Sequence, residues 1–218
     1  MAERGGADTI LPRLAGGSTV TVGSFDGVHL GHQAVLREIA GRAEAAGRAS
    51  VLVTFEPHPL EVVNPQAAPP LLTTGPERRE VLAQTPLDYA YFLRFDRQVA
   101  GLSPEEFVRD VLLGRLGMRE LVIGHDHGFG RGRSGDVETL RRLGGRYGFE
   151  VDVVPAVDVG EQHVSSSRIR RAVAGAMVVT FIAFFAVIYI QMALGKDPAL
   201  GASATKTVAS SPKATTET

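Results

Sequence analysis

The chain opens its hydrophobic pattern late. Residues 1–15 carry Arg4, Asp8 and Arg13 among small residues and contain no apolar stretch of signal-peptide type. They read as a loose leader. From Ser18 to Ser24 an apolar and β-branched run, Val20 and Val22 between Thr19 and Thr21, predicts a first strand suited to a buried parallel position. The period then changes. Val35, Leu36, Ile39, Ala40 and Ala43 fall at helical spacing, predicting a helix over 33–46 that stops at Gly47. Ser50–Phe55 reads as a second strand. It ends in Glu56-Pro57-His58-Pro59, where two prolines predict a rigid loop carrying His58.

Further on, Pro76–Gln84 reads as a helix and Tyr89–Phe95 as a strand. Ser103-Pro104-Glu105-Glu106 has an N-cap serine, a proline in the first helical position and a glutamate closing a capping box; it predicts a helix to about Leu116. Glu120–Ile123 reads as a short buried strand and Gly124–Asp136 as a loop with five glycines. Asp136–Tyr147 predicts a helix, Glu150–Pro155 a strand, and Ser165-Ser166-Ser167 the start of a last short helix. Strands alternating with helices predict an α/β fold with a parallel sheet covered on both faces. In such sheets ligands bind beyond the carboxyl ends of the strands. The loops after Val22, Phe55 and Ile123 all lie at such ends.

The pattern changes again after Arg171. The next 24 residues bear no formal charge, and Thr180 and Gln191 interrupt the apolar run from Met177 to Leu194. This length suits a bilayer crossing, and no polar face marks it as an amphipathic core helix. Arg168, Arg170 and Arg171 precede the span; Lys196 and Asp197 follow it. The positive-inside rule then predicts a single-pass protein of the inner membrane with its N-terminal domain in the cytoplasm. The organisation expected is a leader over 1–15, a folded domain over 16–174, a transmembrane helix over 175–195, and a disordered Ala/Ser/Thr/Lys-rich tail over 196–218.

Composition narrows the chemistry. The 218 residues carry 23 basic and 24 acidic side chains, a formal charge of −1, which argues against nucleic acid as a partner. There is no cysteine, so disulfides, Cys-ligated zinc and a Cys nucleophile are excluded. Carboxylate partners for the histidines are not obvious, and no metal site is expected.

Four motifs stand at the strand ends. Gly23-Ser-Phe-Asp-Gly-Val-His-Leu-Gly-His32 joins a strand to a helix N-terminus, where backbone N–H groups and the positive helix end suit a phosphate. Gly31 allows close backbone approach. His29 and His32 can donate to phosphate oxygens and stabilise charge building on a phosphorus under attack. Ser165-Ser166-Ser167-Arg168 offers hydroxyls and a cationic fork for a polyphosphate. Gly124–Asp136, with one aromatic and two arginines among its glycines, suggests a loop moulded to a flat phosphorylated ligand. Thr54-Phe-Glu-Pro-His-Pro59 offers a rigid wall.

These four motifs, in this order, resemble the adenylyltransferase (FAD synthetase) module of the bacterial bifunctional riboflavin kinase/FMN adenylyltransferase family over roughly residues 16–174. The resemblance implies a Rossmann-like parallel sheet of the H-x-G-H nucleotidylyltransferase type. It implies transfer of AMP from ATP to FMN, giving FAD and pyrophosphate, with Mg²⁺ accompanying the ATP. It also implies roles: His29, His32 and Arg168 catalytic; Gly23, Phe25, Asp26, Gly31, Ser165, Ser166 and Ser167 toward the nucleotide; Thr54, Pro57, His58, Asp126, Phe129 and Arg133 toward the flavin. No general base is required, because the FMN phosphate is already ionised at pH 7, its second pKa lying near 6. The chain departs from the family at His127 and Gly128, where an aromatic and often an arginine are expected, and near Ala174, where the apolar span stands in place of a kinase domain.

The leading expectation is a membrane-tethered FMN adenylyltransferase. A different class of reading is an adenylyltransferase-like domain serving as a single-helix structural subunit of a respiratory or photosynthetic membrane complex, beside other membrane-protein subunits, its catalysis incidental or lost. A third is two coding regions joined near Met177.

Overall fold

In the computed structural model, residues 14, 16–124, 135–155, 158–159, 162–163 and 165–193 are described, with side chains left out at 158–159, 162–163 and 191–193. Five strands form one parallel sheet: β1 (Ser18–Val22), β2 (Ala49–Glu56), β3 (Tyr89–Arg94), β4 (Met118–Gly124) and β5 (Glu150–Val154), in the order β3-β2-β1-β4-β5. The chain winds outward from β1 to one edge and then to the other, so the order reverses beside β1. That is the switch point at which open α/β sheets bind ligands. The register pairs Val20 with Val51 and with Leu121, and Val53 with Tyr91.

Alternation along the strands builds two apolar layers. Val20, Val22, Val51, Val53, Leu121 and Ile123 face Phe107, Val108, Leu112, Leu140 and Phe149. Leu52 and Val122 point the other way, onto Leu36, Ile39, Leu82 and Leu87. The helices that supply those layers are α1 (Leu30–Ala45), α3 (Gly75–Ala83), α5 (Pro104–Glu106, continuing as a π-helix over Phe107–Leu113) and α6 (Val137–Tyr147). Two shorter helices, α2 (Pro59–Val63) and α4 (Arg97–Gly101), a 3-10 turn at Pro65–Ala67 and a small antiparallel pair, β6 (Asp158–Val159) with β7 (Gln162–His163), also belong to this part of the chain.

At the N-terminal ends of the strands the polar groups serve structure. Glu120 is buried, yet its carboxylate accepts from the Thr19 hydroxyl at 3.0 Å and pairs with Arg42 at 3.1 Å and Arg48 at 3.6 Å. A buried carboxylate is tolerable only when so paired.

Several expectations change at their edges. The helix expected from Gln33 begins at Leu30, because the His29 side chain caps it. The segment expected to be a loop around His58 includes α2: His58 is its N-cap and Pro59 occupies the first helical position, where a missing N–H costs nothing. The helix from Ser103 forms with its capping box, Ser103 bonding the Glu106 N–H and Glu106 reaching back, but widens to π geometry from Phe107. The short helix expected at Ser165 is the first part of one 28-residue helix, α7 (Ser166–Ala193). All of the leader but Leu14, the 125–134 part of the Gly-rich loop and the tail lie outside the described residues.

The contacts divide the chain into Met1–Arg170 and Arg171–Thr218. Within α7, Ser166–Ile190 is long and apolar enough to cross a membrane, with a mean hydropathy of 2.5 in its most apolar stretch and none of that stretch buried. Thr180 hands its hydroxyl hydrogen to the Ala176 carbonyl at 2.9 Å, so its polar group is satisfied within the helix itself.

Candidate active site

β1 ends at Val22 and the backbone turns sharply before α1. Phe25 and Val28 hold positive φ values of 47° and 35°, and Gly27 one of 79°. For a β-branched residue such as Val28 this is a rare conformation, persisting where surrounding structure imposes it. Both side chains are buried, Val28 at 2% exposure, so core packing anchors the turn. Gly23 is required by what lies above it: a Cβ there would stand 2.9 Å from the Phe25 ring.

This elbow positions the two histidines. His29 is the N-cap of α1, and its Nδ1 accepts from the His32 N–H at 3.3 Å. The His29 and His32 rings stack with centroids 3.7 Å apart, and the Phe25 ring lies tilted against His32 at 4.5 Å. Gly31 sits between them in the first helical turn. Burial, and then the neighbouring His29, push the His32 pKa down to about 3, against the opposing pull of Asp26. His32 is therefore a neutral imidazole at physiological pH. Its Nδ1 is buried with no hydrogen-bond partner among the described residues.

The consequence for stability has a definite sign. The folded His32 takes up a proton only near pH 3, whereas the unfolded side chain does so near 6.5. The unfolded state thus binds protons first as pH falls. This contribution is fully present above about pH 6.5 and declines below it, by up to about 1.4 kcal/mol per pH unit. Urea midpoints should fall from pH 7 to pH 5 in the native chain, and fall less steeply in His32→Gln. Parallel slopes in the two proteins would refute the assignment.

β2 delivers the second wall. Thr54 is fully buried, and its hydroxyl donates to the Ser24 carbonyl at 2.9 Å, tying the end of β2 to the elbow. Pro57 follows in an exposed turn with a cis Glu56–Pro57 bond. The His58 Nδ1 accepts from the Leu60 N–H at 3.2 Å. Burial lowers the His58 pKa, with Asp26, Arg170, Glu61 and Arg78 all within electrostatic reach. Elbow and His58 loop therefore belong to one locality.

Beneath both loops lies Arg78 of α3, 4% exposed. Its guanidinium donates to the Ser24 and Phe55 carbonyls, each at 2.9 Å, spanning the ends of β1 and β2. Arg79 pairs with Glu56 and lies over the Phe92 ring at 3.8 Å.

The third contribution comes from the start of α7. Ser165 caps the turn, its hydroxyl accepting from the Arg168 N–H at 3.4 Å. The Ser166 hydroxyl donates to the Asp26 carbonyl at 3.1 Å. Ser167 and Arg168 are exposed on the same turn. Ser165–Arg168 thus lies beside the His29/His32 elbow, 140 residues distant along the chain.

Asp26 itself is turned inward. At 2% exposure its carboxylate accepts from the Leu72 and Thr73 N–H groups and from Arg170. Burial alone would raise its pKa; those donors reverse the effect and hold it below the usual value. A carboxylate so saturated has no lone pair left for a metal. Among the described residues no group of three or more His, Asp or Glu side chains could hold an ion. The described donors do not fit a protein-held Mg²⁺. Asp126, Phe129 and Arg133 lie outside the described residues.

The structure thus gathers three motifs at the carboxyl edge of β1 and β2: two stacked imidazoles on a strained turn, a rigid histidine-bearing wall, and a serine-arginine helix start. A family model described as FAD synthetase matches residues 12–168. The chain belongs to the FAD synthetase family. It is 36% identical over 158 residues to the bifunctional riboflavin kinase/FMN adenylyltransferase of Escherichia coli (strain K12), covering 72% of this chain and 50% of that protein. It is 37% identical over 160 residues to the protein of that description from Pseudomonas fluorescens, covering 73% and 51% respectively. The chain spans about half the length of these relatives. Among solved structures, the crystal structure of a macrolide-efflux protein from Streptococcus pneumoniae superposes with a TM-score of 0.61 and 28% identity, over 72% of this chain and 52% of that one.

Arg78, Thr73 and Arg170 carry structural roles that the motif reading omits. Arg78 gives no local signal, since a helical arginine is ordinarily solvated. Arg170 is read from sequence as a membrane flank, yet its side chain is only 16% exposed and faces Asp26.

Proposed function

We propose that the chain is an FMN adenylyltransferase, joining AMP from ATP to FMN and releasing pyrophosphate, and that α7 tethers it to the inner membrane with the nucleotide domain in the cytoplasm. The observation that carries this reading is the pair of stacked histidines held on the strained elbow of a FAD synthetase domain, beside the Ser165–Arg168 turn.

The chemistry needs little from the protein beyond placement. An oxygen of the FMN phosphate attacks the α-phosphorus of ATP. A new P–O bond forms, the bond to the bridging oxygen breaks, and pyrophosphate leaves with the electron pair. The attacking phosphate is ionised at pH 7 and needs no general base. Mg²⁺ would arrive on the ATP phosphates, since the described side chains do not form a cage for it. His29 and His32 donate to the phosphate oxygens, where fixed donors stabilise charge that develops in the transition state. Arg168, Ser166 and Ser167 hold the β and γ phosphates. Thr54 acts from below, by fixing the elbow, and Pro57 and His58 form the flavin-side wall.

The tether rests on the length and uniform apolarity of α7. Arg168 and Arg171 stand at the start of this stretch, ahead of its uncharged part, and favour a cytoplasmic N-terminal side. The deciding experiment incubates the detergent-purified full chain with FMN, ATP and Mg²⁺ and follows FAD and pyrophosphate by chromatography. Stoichiometric formation of both is expected. Absence of FAD together with absence of ATP binding overturns the enzyme reading.

A further inference from the structure

Arg78 is a buried cation without a counter-ion. At 4% exposure it pairs with no carboxylate among the described residues, and its Nε has no hydrogen-bond partner there. The carboxylates within electrostatic reach are committed elsewhere. Glu56 pairs with Arg79, and Asp26 accepts from Leu72, Thr73 and Arg170. What the guanidinium holds instead is two carbonyls and an aromatic face. Nη1 donates to the Ser24 carbonyl and Nη2 to the Phe55 carbonyl, each at 2.9 Å, and the group stands 5.5 Å from the centroid of the Phe92 ring. Burial pushes its pKa down, as expected of a charge held out of water with incomplete compensation.

Packing alone does not call for this residue. An apolar side chain of similar volume in place of a buried charge is often neutral or stabilising. The place of the two acceptors gives the arginine its use. The Ser24 carbonyl directly precedes Phe25, the first left-handed residue of the elbow. The Phe55 carbonyl stands at the end of β2, two residues before Pro57 and three before His58. The elbow and β2 also touch directly: the Gly23 N–H donates to the Val53 carbonyl at 3.0 Å, and the Thr54 hydroxyl shares the Ser24 carbonyl with Arg78. Arg78 adds a tie from a third element, α3, whose own start is fixed by the Thr74–Glu77 capping box.

We infer that Arg78 is a positioning residue for the transfer step: its two donated hydrogen bonds set the gap between the histidine elbow and the His58 wall, and so the in-line approach of the two substrates. This deepens the adenylyltransferase reading and rests on it for its kinetic consequence. Each substrate keeps its own wall, so either one alone still binds when the gap changes. The reaction between them does not survive so well, because a misplacement of about an ångström costs up to about 100-fold.

The test uses the full chain in detergent, as Arg78→Met and Arg78→Lys, with kcat expressed per folded molecule by far-UV circular dichroism. In Arg78→Met kcat should fall about 100-fold, with KM for ATP and for FMN within about threefold of native. Arg78→Lys keeps the charge and can donate to both carbonyls from a more flexible stem, so it should recover kcat to within about tenfold of native. A residue that only stabilises the fold would lower the folded fraction and leave kcat per folded molecule unchanged. That result overturns the inference, as does a loss carried by KM or an Arg78→Lys protein no faster than Arg78→Met. Backbone amide exchange tests the gap without activity. The Gly23 and Val28 amides, bonded to the Val53 and Phe25 carbonyls, should exchange about tenfold faster in Arg78→Met, while Leu121 and Val122 of β4 keep native protection. Native exchange at Gly23 and Val28 overturns the inference too. If Arg78→Met does not fold, Arg78→Gln takes its place in both measurements with the same expected direction. If the native chain forms no FAD, the adenylyltransferase reading falls, and amide exchange alone decides whether Arg78 holds the gap.

Discussion

Replacing His29 or His32 by alanine is expected to lower the kcat for FAD formation by about 10²–10³-fold, the range seen when one preorganised donor to a developing oxyanion is removed. The structure says why the two should behave alike. Their rings stack at 3.7 Å, and the His29 ring nitrogen holds the His32 backbone, so each imidazole fixes the other's position. The double variant should then be little worse than either single one, as groups acting as a unit are strongly non-additive. His32→Ala also uncovers the Phe25 ring, so folding should be monitored by far-UV circular dichroism alongside activity. A folded His29→Ala protein with native kcat would remove the histidines from the mechanism.

The second large effect concerns stability. Asp26→Ala should cost about 3–5 kcal/mol, because it removes the buried half of an ion pair and strands the partly buried Arg170 guanidinium. It also leaves the Leu72 and Thr73 N–H groups without their acceptor. Asp26→Asn should cost less, about 1–3 kcal/mol, since an amide oxygen can still accept from one or two of these donors. Urea denaturation of the purified chain measures both. An Asp26→Ala protein within about 0.5 kcal/mol of native, the range typical of ordinary surface substitutions, would mean these hydrogen bonds are not formed in solution.

Much of this fold is written in local periodicity. The five sheet strands, the Gly47 stop, the Ser103 capping box and the helix before Tyr147 each follow from a few neighbouring residues, and each forms close to where its pattern places it. The motif spacing also places the elbow and the His58 segment together at the carboxyl ends of β1 and β2, the end at which open parallel sheets bind ligands. What local pattern misses are choices decided at a distance. The proline pair around His58 reads as a breaker, yet Pro59 starts a helix once the His58 ring supplies a cap. Arg170 reads as a membrane flank because its neighbours are apolar, while its partner lies 144 residues upstream. Asp26 reads as a ligand group within a phosphate motif. Its carboxylate is instead consumed by backbone N–H groups 46 and 47 residues away, which no spacing rule anticipates.

The capping bonds of His29 and His58 also settle where each proton sits. In both rings Nδ1 accepts from a backbone N–H, so it carries no hydrogen, and the neutral ring must be the Nε2–H tautomer. The polarity of each imidazole is thereby wired by the start of a helix. In each neutral ring the hydrogen sits on Nε2, and a proton placed on Nδ1 would break the cap beneath it. Two reporters of helix integrity are thus built into the strand ends, readable as ring-nitrogen chemical shifts in ¹⁵N-histidine spectra.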